Sequence, residues 1–202
     1  MDNIGVFGGT FNPPHLGHLH IATAFLQAFQ PEELLIIPSY VPPHKASPEL
    51  ASGEDRLALC QQTFTDPRCK ISDLELQRKG RSYTVDTLEE LKQKYPGKEL
   101  YFLVGDDMLL YLPHWREPER LLELAHFVSA VRSDRTSVLD LERFAQQQYP
   151  AQYAAGRFHF LQLEPFEVSS TELRNKRKAG EALTGLVSAE AEAYINRKGL
   201  YL

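Results

Sequence analysis

The chain has 202 residues, 43% of them hydrophobic and 24% charged, which is enough for one globular unit with a sizeable core. A net charge of -5 argues against general binding to nucleic acid or to anionic membranes, although a few local donors can still hold an anionic small molecule. The two cysteines, Cys60 and Cys69, are too few and too isolated for a disulfide framework or a zinc site of standard spacing. Residues 1–3 lack the basic and apolar character of a signal peptide, and no apolar run approaches the roughly 20 residues of a membrane span, so a cytoplasmic chain without a membrane partner is expected.

In chain order, residues 4–7 read as a short apolar strand. They run into Gly8-Gly9-Thr10-Phe11-Asn12-Pro13-Pro14-His15-Leu16-Gly17-His18 and then a segment, 19–29, with helical spacing. A glycine pair between a strand and a helix lets the backbone turn sharply and come close to a ligand. The helix start offers unpaired N–H groups and the positive end of a dipole, and His15 and His18, three residues apart, share one face of it. Together these features suit a polyphosphate; the alternative is a plain strand-to-helix turn with exposed histidines. The unbroken apolar run at 34–37, bounded by Pro31 and Pro38, reads as a strand buried on both faces, so residues 1–38 form a right-handed βαβ unit.

Residues 39–52 form a Pro- and Ser-rich loop. Residues 54–64 are expected to be an amphipathic helix with Leu57, Cys60 and Phe64 on its stripe and Arg56 off it. Residues 70–76 read as a strand, 77–82 as a polar turn, and 83–95 as a helix capped by Ser82 or Thr84 and ended by Pro96-Gly97. A buried strand at 100–104 precedes Gly105-Asp106-Asp107 and a short helix. Trp115 lies in the Pro-flanked loop at 112–118, followed by a helix at 119–124, a strand at 127–131 and Arg132. The stretch 138–148 is polar and helical, 158–163 alternates like a strand near an edge, and helices are expected from about 168 and at 188–196. Alternating strands and helices make an α/β fold with a doubly wound, mostly parallel sheet flanked by helices. Ligands in such folds bind beyond the carboxyl ends of the strands, where the glycine loop, Gly105 to Asp107 and Arg132 all fall.

The segment from Gly8 to His18 resembles the Gly-Gly-Thr-Phe-x-Pro-x-His-x-Gly-His signature of the nucleotidyltransferase superfamily, and the whole chain resembles bacterial nicotinate-nucleotide adenylyltransferases. The family often has Asp where this chain has Asn12. Ser169-Ser170-Thr171 with Arg174 matches the family's Ile-Ser-Ser-Thr-x-Ile-Arg motif, with Val168 and Leu173 as apolar exchanges; read without the family, these residues are ordinary helix caps and a surface arginine. Residues 82–88 resemble the family's Ser-Tyr-Thr-x-x-Thr-Leu segment, and Asp107 matches its Gly-x-Asp motif.

The resemblance implies a Rossmann-like nucleotidyltransferase fold over 1–202, with a helical part from about 168 carrying the Ser-Ser-Thr motif. It also implies transfer of the adenylyl group of ATP to nicotinate mononucleotide, with Mg²⁺ entering on the ATP. His15, His18 and Arg174 are the catalytic candidates; Gly8, Gly9, Thr10, Phe11, Gly105, Asp107, Ser170 and Thr171 are expected to join them in holding ATP. For the acceptor, Trp115 offers a π face to a pyridinium-type ring beside Tyr83 and Thr84, unless it is a loop anchor. His44, Lys45 and Arg132 are candidate donors to its phosphate or carboxylate. The rival readings are a nicotinamide-mononucleotide or phosphopantetheine adenylyltransferase, a non-catalytic nucleotide sensor of the same fold, and a class I aminoacyl-tRNA synthetase, against which the short length counts. A monomer and a homodimer both fit the sequence.

Overall fold

The computed structural model describes residues 3–42, 49–131, 136–166 and 168–202. Strand β1 (Asn3–Gly9), helix α1 (Leu16–Phe29) and strand β2 (Glu33–Pro38) form the expected βαβ unit. Helix α2 (Gly53–Thr63) leads to strand β3 (Cys69–Ile71), and helices α3 (Leu74–Arg78) and α4 (Thr84–Lys94) lead to strand β4 (Glu99–Gly105). Helix α5 (Asp106–Leu110), a 3-10 turn (Leu112–His114) and helix α6 (Pro118–Leu124) precede strand β5 (His126–Val131). Helices α7 (Val138–Gln148) and α8 (Pro150–Ala154) precede strand β6 (Phe158–Gln162), and helices α9 (Ser170–Lys178) and α10 (Ala189–Lys198) end the chain. The six strands lie in the order β3-β2-β1-β4-β5-β6, and each neighbouring pair is parallel. That order belongs to the doubly wound α/β fold. No helix among the described residues is long and apolar enough to cross a membrane.

Side chains alternate across the sheet with the period of two that a strand imposes. Ile4, Val6, Leu35, Ile37, Leu100 and Phe102 enter the core beneath α4 and α6, while Phe7, Leu34, Ile36 and Leu103 enter the opposite core beneath α1. A third, smaller core joins Leu59 of α2 to Val168, Leu173, Leu183, Ala191 and Ile195, and so docks the C-terminal helices against the N-terminal half. Gly5 sets the approach of α1 to the sheet: a Cβ there would stand 2.4 Å from the Phe25 ring and 2.8 Å from Leu34.

The structure corrects the sequence reading in three places. The strand expected over 70–76 is only Cys69–Ile71, and the apolar Leu74 and Leu76 belong instead to α3. Five residues are too few for a 3.6-residue period to be separated from alternation. Neither Ser82 nor Thr84 caps α4: the N-cap is Tyr83, without a side-chain bond, and Ser82 Oγ accepts from the Tyr40 N–H at 2.8 Å. Arg56, read as lying off the buried stripe of α2, is 1% exposed.

At the amino ends of β4, β5 and β6, His126 Nδ1 lies 3.1 Å from His159 Nε2 and the His126 ring stacks on Tyr101. Burial pulls both imidazoles below the ordinary histidine value of 6.5; Arg157 adds to the effect on His126 and outweighs the Glu99 carboxylate 3.7 Å away. The unfolded chain therefore binds more protons than the folded one as pH falls through 6.5, so this contribution to stability is complete above that value and is lost below it. The urea midpoint should drop between about pH 7.5 and about pH 5.5, and His159→Gln should flatten that dependence. Gly5→Ala should destabilise the chain by about 1–3 kcal/mol, the range for overpacking a close contact, as read from urea unfolding at neutral pH.

Candidate active site

The chain leaves β1 toward β2 and β3 on one side, and β4 toward β5 and β6 on the other. The helices that follow β1 and β4 therefore diverge, and a crevice opens beyond the carboxyl ends of these two strands. A cavity of about 670 Å³ occupies this place, lined from Gly8 to Asn12, by His15 and His18, by Gly105 and Asp107, and by Ser170, Thr171 and Arg174. Its far wall holds Glu75, Tyr83, Thr84, Trp115 and Arg116. The volume lies within the usual range of small-molecule sites, roughly 300–1,000 Å³.

Gly8 and Gly9 end β1 in register with Ile37 and Pro38 of β2, so the chain does not turn at the glycine pair. Their value is closeness, since a Cβ on Gly9 would stand 3.0 Å from the Phe11 ring. The turn comes at Phe11, whose φ of 48° lies in the left-handed region that non-glycine residues avoid. Packing holds it there: the Phe11 ring is 1% exposed and meets Phe7, Phe64 and His18 edge-on. Phe11 thus acts as a wedge beneath the loop and braces the His18 ring.

The two histidines cap α1 reciprocally. The His18 N–H donates to His15 Nδ1 at 3.3 Å, and the His15 N–H donates to His18 Nδ1 at 3.2 Å. The rings lie close together, 3.6 Å between centroids, with their planes tilted by 33°. Each Nδ1 is an acceptor, so each neutral ring carries its hydrogen on Nε2 and keeps that N–H as its donor. The first turn of α1 is less open than its sequence suggests, because the Leu16 N–H also donates to Leu186 O at 2.9 Å. At this helix end the imidazoles, more than a row of free amides, are the donors the structure offers.

Helix α9 is joined directly to the loop after β1. Ser170 Oγ donates to Pro13 O at 2.9 Å, and Arg174 Nη1 donates to Asn12 O at 2.9 Å. Ser169 caps the helix by accepting from the Glu172 N–H. Arg174 Nε also lies 3.5 Å from Glu49 Oε2, and Lys178 pairs with the same carboxylate. The Lys178 bond, with help from Arg174, holds the Glu49 carboxyl below its ordinary range. The Asn12 side chain acts as a latch: its Nδ2 donates to Glu49 O and its Oδ1 accepts from the Ala51 N–H, both at 3.0 Å. An amide does both; an aspartate at position 12 would supply acceptors only.

The opposite wall is more polar than the sequence reading suggested. Trp115 leans on Phe102 and Phe127 while lining the cavity, so it anchors its loop and also borders the cleft. The Arg116 guanidinium lies 4.9 Å above the Tyr83 ring. Behind them Glu75, 6% exposed, accepts from Thr87 Oγ1 at 2.6 Å. Burial raises its carboxyl, and the hydrogen bonds from Thr87 and Ser82 partly offset this.

The cleft therefore gathers every site residue expected from the sequence that lies within the described residues. His44, Lys45 and Arg132 lie outside the described residues. Sequence reasoning missed Ser39, Glu75 and Arg116, which line the cavity, and Arg56 behind it. Ser39 Oγ is buried on the cavity wall with no hydrogen-bond partner among the described residues. These residues stand in no glycine- or histidine-rich motif, and only the fold brings them to the site.

Comparison with known proteins matches this geometry. The Cytidylyltransferase-like family model matches residues 6–176. A Geobacillus kaustophilus protein named probable nicotinate-nucleotide adenylyltransferase is 37% identical, covering 100% of this chain and 87% of its own length. A protein of the same name from Shouchella clausii is 38% identical, covering 100% and 97%. The fold is shared with the Plasmodium falciparum nicotinic acid mononucleotide adenylyltransferase complexed with NaAD, at a TM-score of 0.81 and 18% identity, covering 100% of this chain and 98% of that one. Beginning within β1 and ending in α9, the matched region takes in both halves of the cleft, and the chain belongs to the nicotinate-nucleotide adenylyltransferases of the cytidylyltransferase-like family.

Proposed function

We propose that the cleft transfers the adenylyl group of ATP to nicotinate mononucleotide, forming nicotinate adenine dinucleotide and releasing pyrophosphate. The observation that carries this reading is the meeting of the β1 loop and α9 through Ser170 and Arg174, which turns two distant sequence motifs into one anion-binding wall. On it, the Nε2–H groups of His15 and His18 donate to phosphate oxygens of ATP, Thr10 and Thr171 add hydroxyls, and Arg174 leaves Glu49 to neutralise the departing pyrophosphate. Gly105 and Asp107 hold the adenosine side. The acceptor lies against Trp115 and Tyr83, with its pyridine ring on the indole face. Helix α4 begins at this wall without a side-chain cap, and its dipole and first-turn amides favour a carboxylate over a neutral amide.

The acceptor phosphate is already ionised near neutral pH, so no strong general base is needed. Catalysis rests on alignment and on charge stabilisation at the α-phosphate and the leaving group. Among the described residues no group of three acidic, histidine or cysteine side chains could hold a metal. A magnesium ion carried mainly by phosphate oxygens suits that donor set, and when bound it supplies charge neutralisation. The reading places the enzyme in the cytoplasm, beside its ATP supply and in keeping with its two free thiols.

A pyrophosphate-release assay with ATP should give the highest kcat/KM with nicotinate mononucleotide, less with nicotinamide mononucleotide and none with phosphopantetheine. Equal rates with the acid and the amide would overturn the acceptor assignment, and ATP binding without turnover on any acceptor would favour a sensor. His18→Ala should lower kcat by at least about tenfold, the scale of one lost transition-state hydrogen bond, in a variant that still folds.

A further inference from the structure

Helix α2 carries a charge in a place where charge is costly. Arg56 is 1% exposed, and its guanidinium lies behind the cleft. Its Nη1 donates to Ser39 O at 2.6 Å and to Thr10 O at 2.9 Å, and its Nε donates to Ala51 O at 3.1 Å. All three acceptors are neutral carbonyls. Among the described residues no carboxylate is in hydrogen-bond contact with the group; the Glu75 carboxylate acts on its charge only through space, and burial pulls the guanidinium's proton affinity down. An arginine keeps its proton even when buried, and a buried cation without a hydrogen-bonded counter-ion is a cost to the fold. Joining three carbonyls does not by itself require a full charge.

Two of these carbonyls belong to residues that line the cavity, Thr10 beyond β1 and Ser39 at the end of β2. A loop that receives phosphate must turn its carbonyl oxygens away, since an inward carbonyl repels the anion. One guanidinium nitrogen, Nη1, holds both turned outward, and the group places a positive charge close behind the wall that faces the triphosphate.

We propose that Arg56 is a positioning residue for adenylyl transfer, fixing the Thr10 and Ser39 carbonyls away from ATP while its buried positive charge favours entry of the polyphosphate. The assignment rests on the ATP reading of the cleft. It explains why α2 bears a cation on its buried face and why that cation is an arginine, because Nε and Nη1 of one planar group reach Ala51 O together with the Thr10 and Ser39 carbonyls, a spread that the single nitrogen of a lysine lacks.

The test compares the wild-type chain with Arg56→Lys, which keeps charge without the fork, and with Arg56→Ala, assayed with and without added guanidinium ion. ATP affinity is measured by calorimetry without acceptor, kcat and acceptor KM by pyrophosphate release, and folding by thermal denaturation. Arg56→Lys should keep a melting temperature close to wild type, bind ATP at least about tenfold more weakly and lose about tenfold in kcat, with acceptor KM changed less than about twofold. Guanidinium ion should restore activity to Arg56→Ala without changing its folded fraction. A folded Arg56→Lys with wild-type ATP affinity and kcat would overturn the proposal, as would an Arg56→Ala whose activity only tracks its folded fraction and does not respond to guanidinium. Failure of the wild-type chain itself to bind ATP would overturn the reading of the cleft as well, which separates the two failures.

Discussion

The cleft depends on how the loop after β1 is held, with its carbonyls taken up by donors behind it. Between β1 and α1 the chain has few backbone hydrogen bonds of its own, and side chains from elsewhere take up its oxygens. Thr10 O accepts from Arg56 of α2, Asn12 O from Arg174 of α9, and Pro13 O from Ser170 of α9. Buried or half-buried carbonyls seldom go unsatisfied, so each of these donors both stabilises the loop and fixes which way its backbone faces. The small core shared by α2, α9 and α10 is what makes the arrangement rigid, because it carries the donors of both helices as one body.

The same economy governs the start of α1. Two imidazoles do the work of a Ser–Glu capping box, each accepting the other's N–H. Stabilising the helix and preparing the donors become one event, since the nitrogen used for capping leaves the other nitrogen protonated. Phe11 adds the steric half by filling the space under the loop in a backbone conformation that only close packing sustains. Across the cleft, Glu75 of α3 holds the first turn of α4 through Thr87, and Ser82, just before α4, bonds to the chain beyond β2.

Much of this could be read from the residues. Continuous apolar runs at 34–37 and 100–104 identified buried parallel strands, and the two motif segments picked out residues that meet at the cleft. What could not be read follows a physical pattern. Helix α3 is too short for its period to register. Arg56 counts as polar in any hydrophobic pattern, although its three acceptors are carbonyls from positions 10, 39 and 51. The glycine pair was expected to turn the chain, yet it ends a strand, because closeness and flexibility leave the same mark in a sequence.

The amino-acid sequence by itself determined the alternation of strands and helices, the family to which the chain belongs, and the chemistry gathered in its two motifs. These are local properties, set by side-chain type and spacing along a few turns of chain. Tertiary structure alone decided which strand lies beside which, that Asn12 latches residues 49–51, and that Arg174 meets the β1 loop while paired with Glu49. It also decided that a cation from α2 stands behind the cleft. Each of these is a bond between residues far apart in the chain, and no local pattern records a partner that only folding brings near.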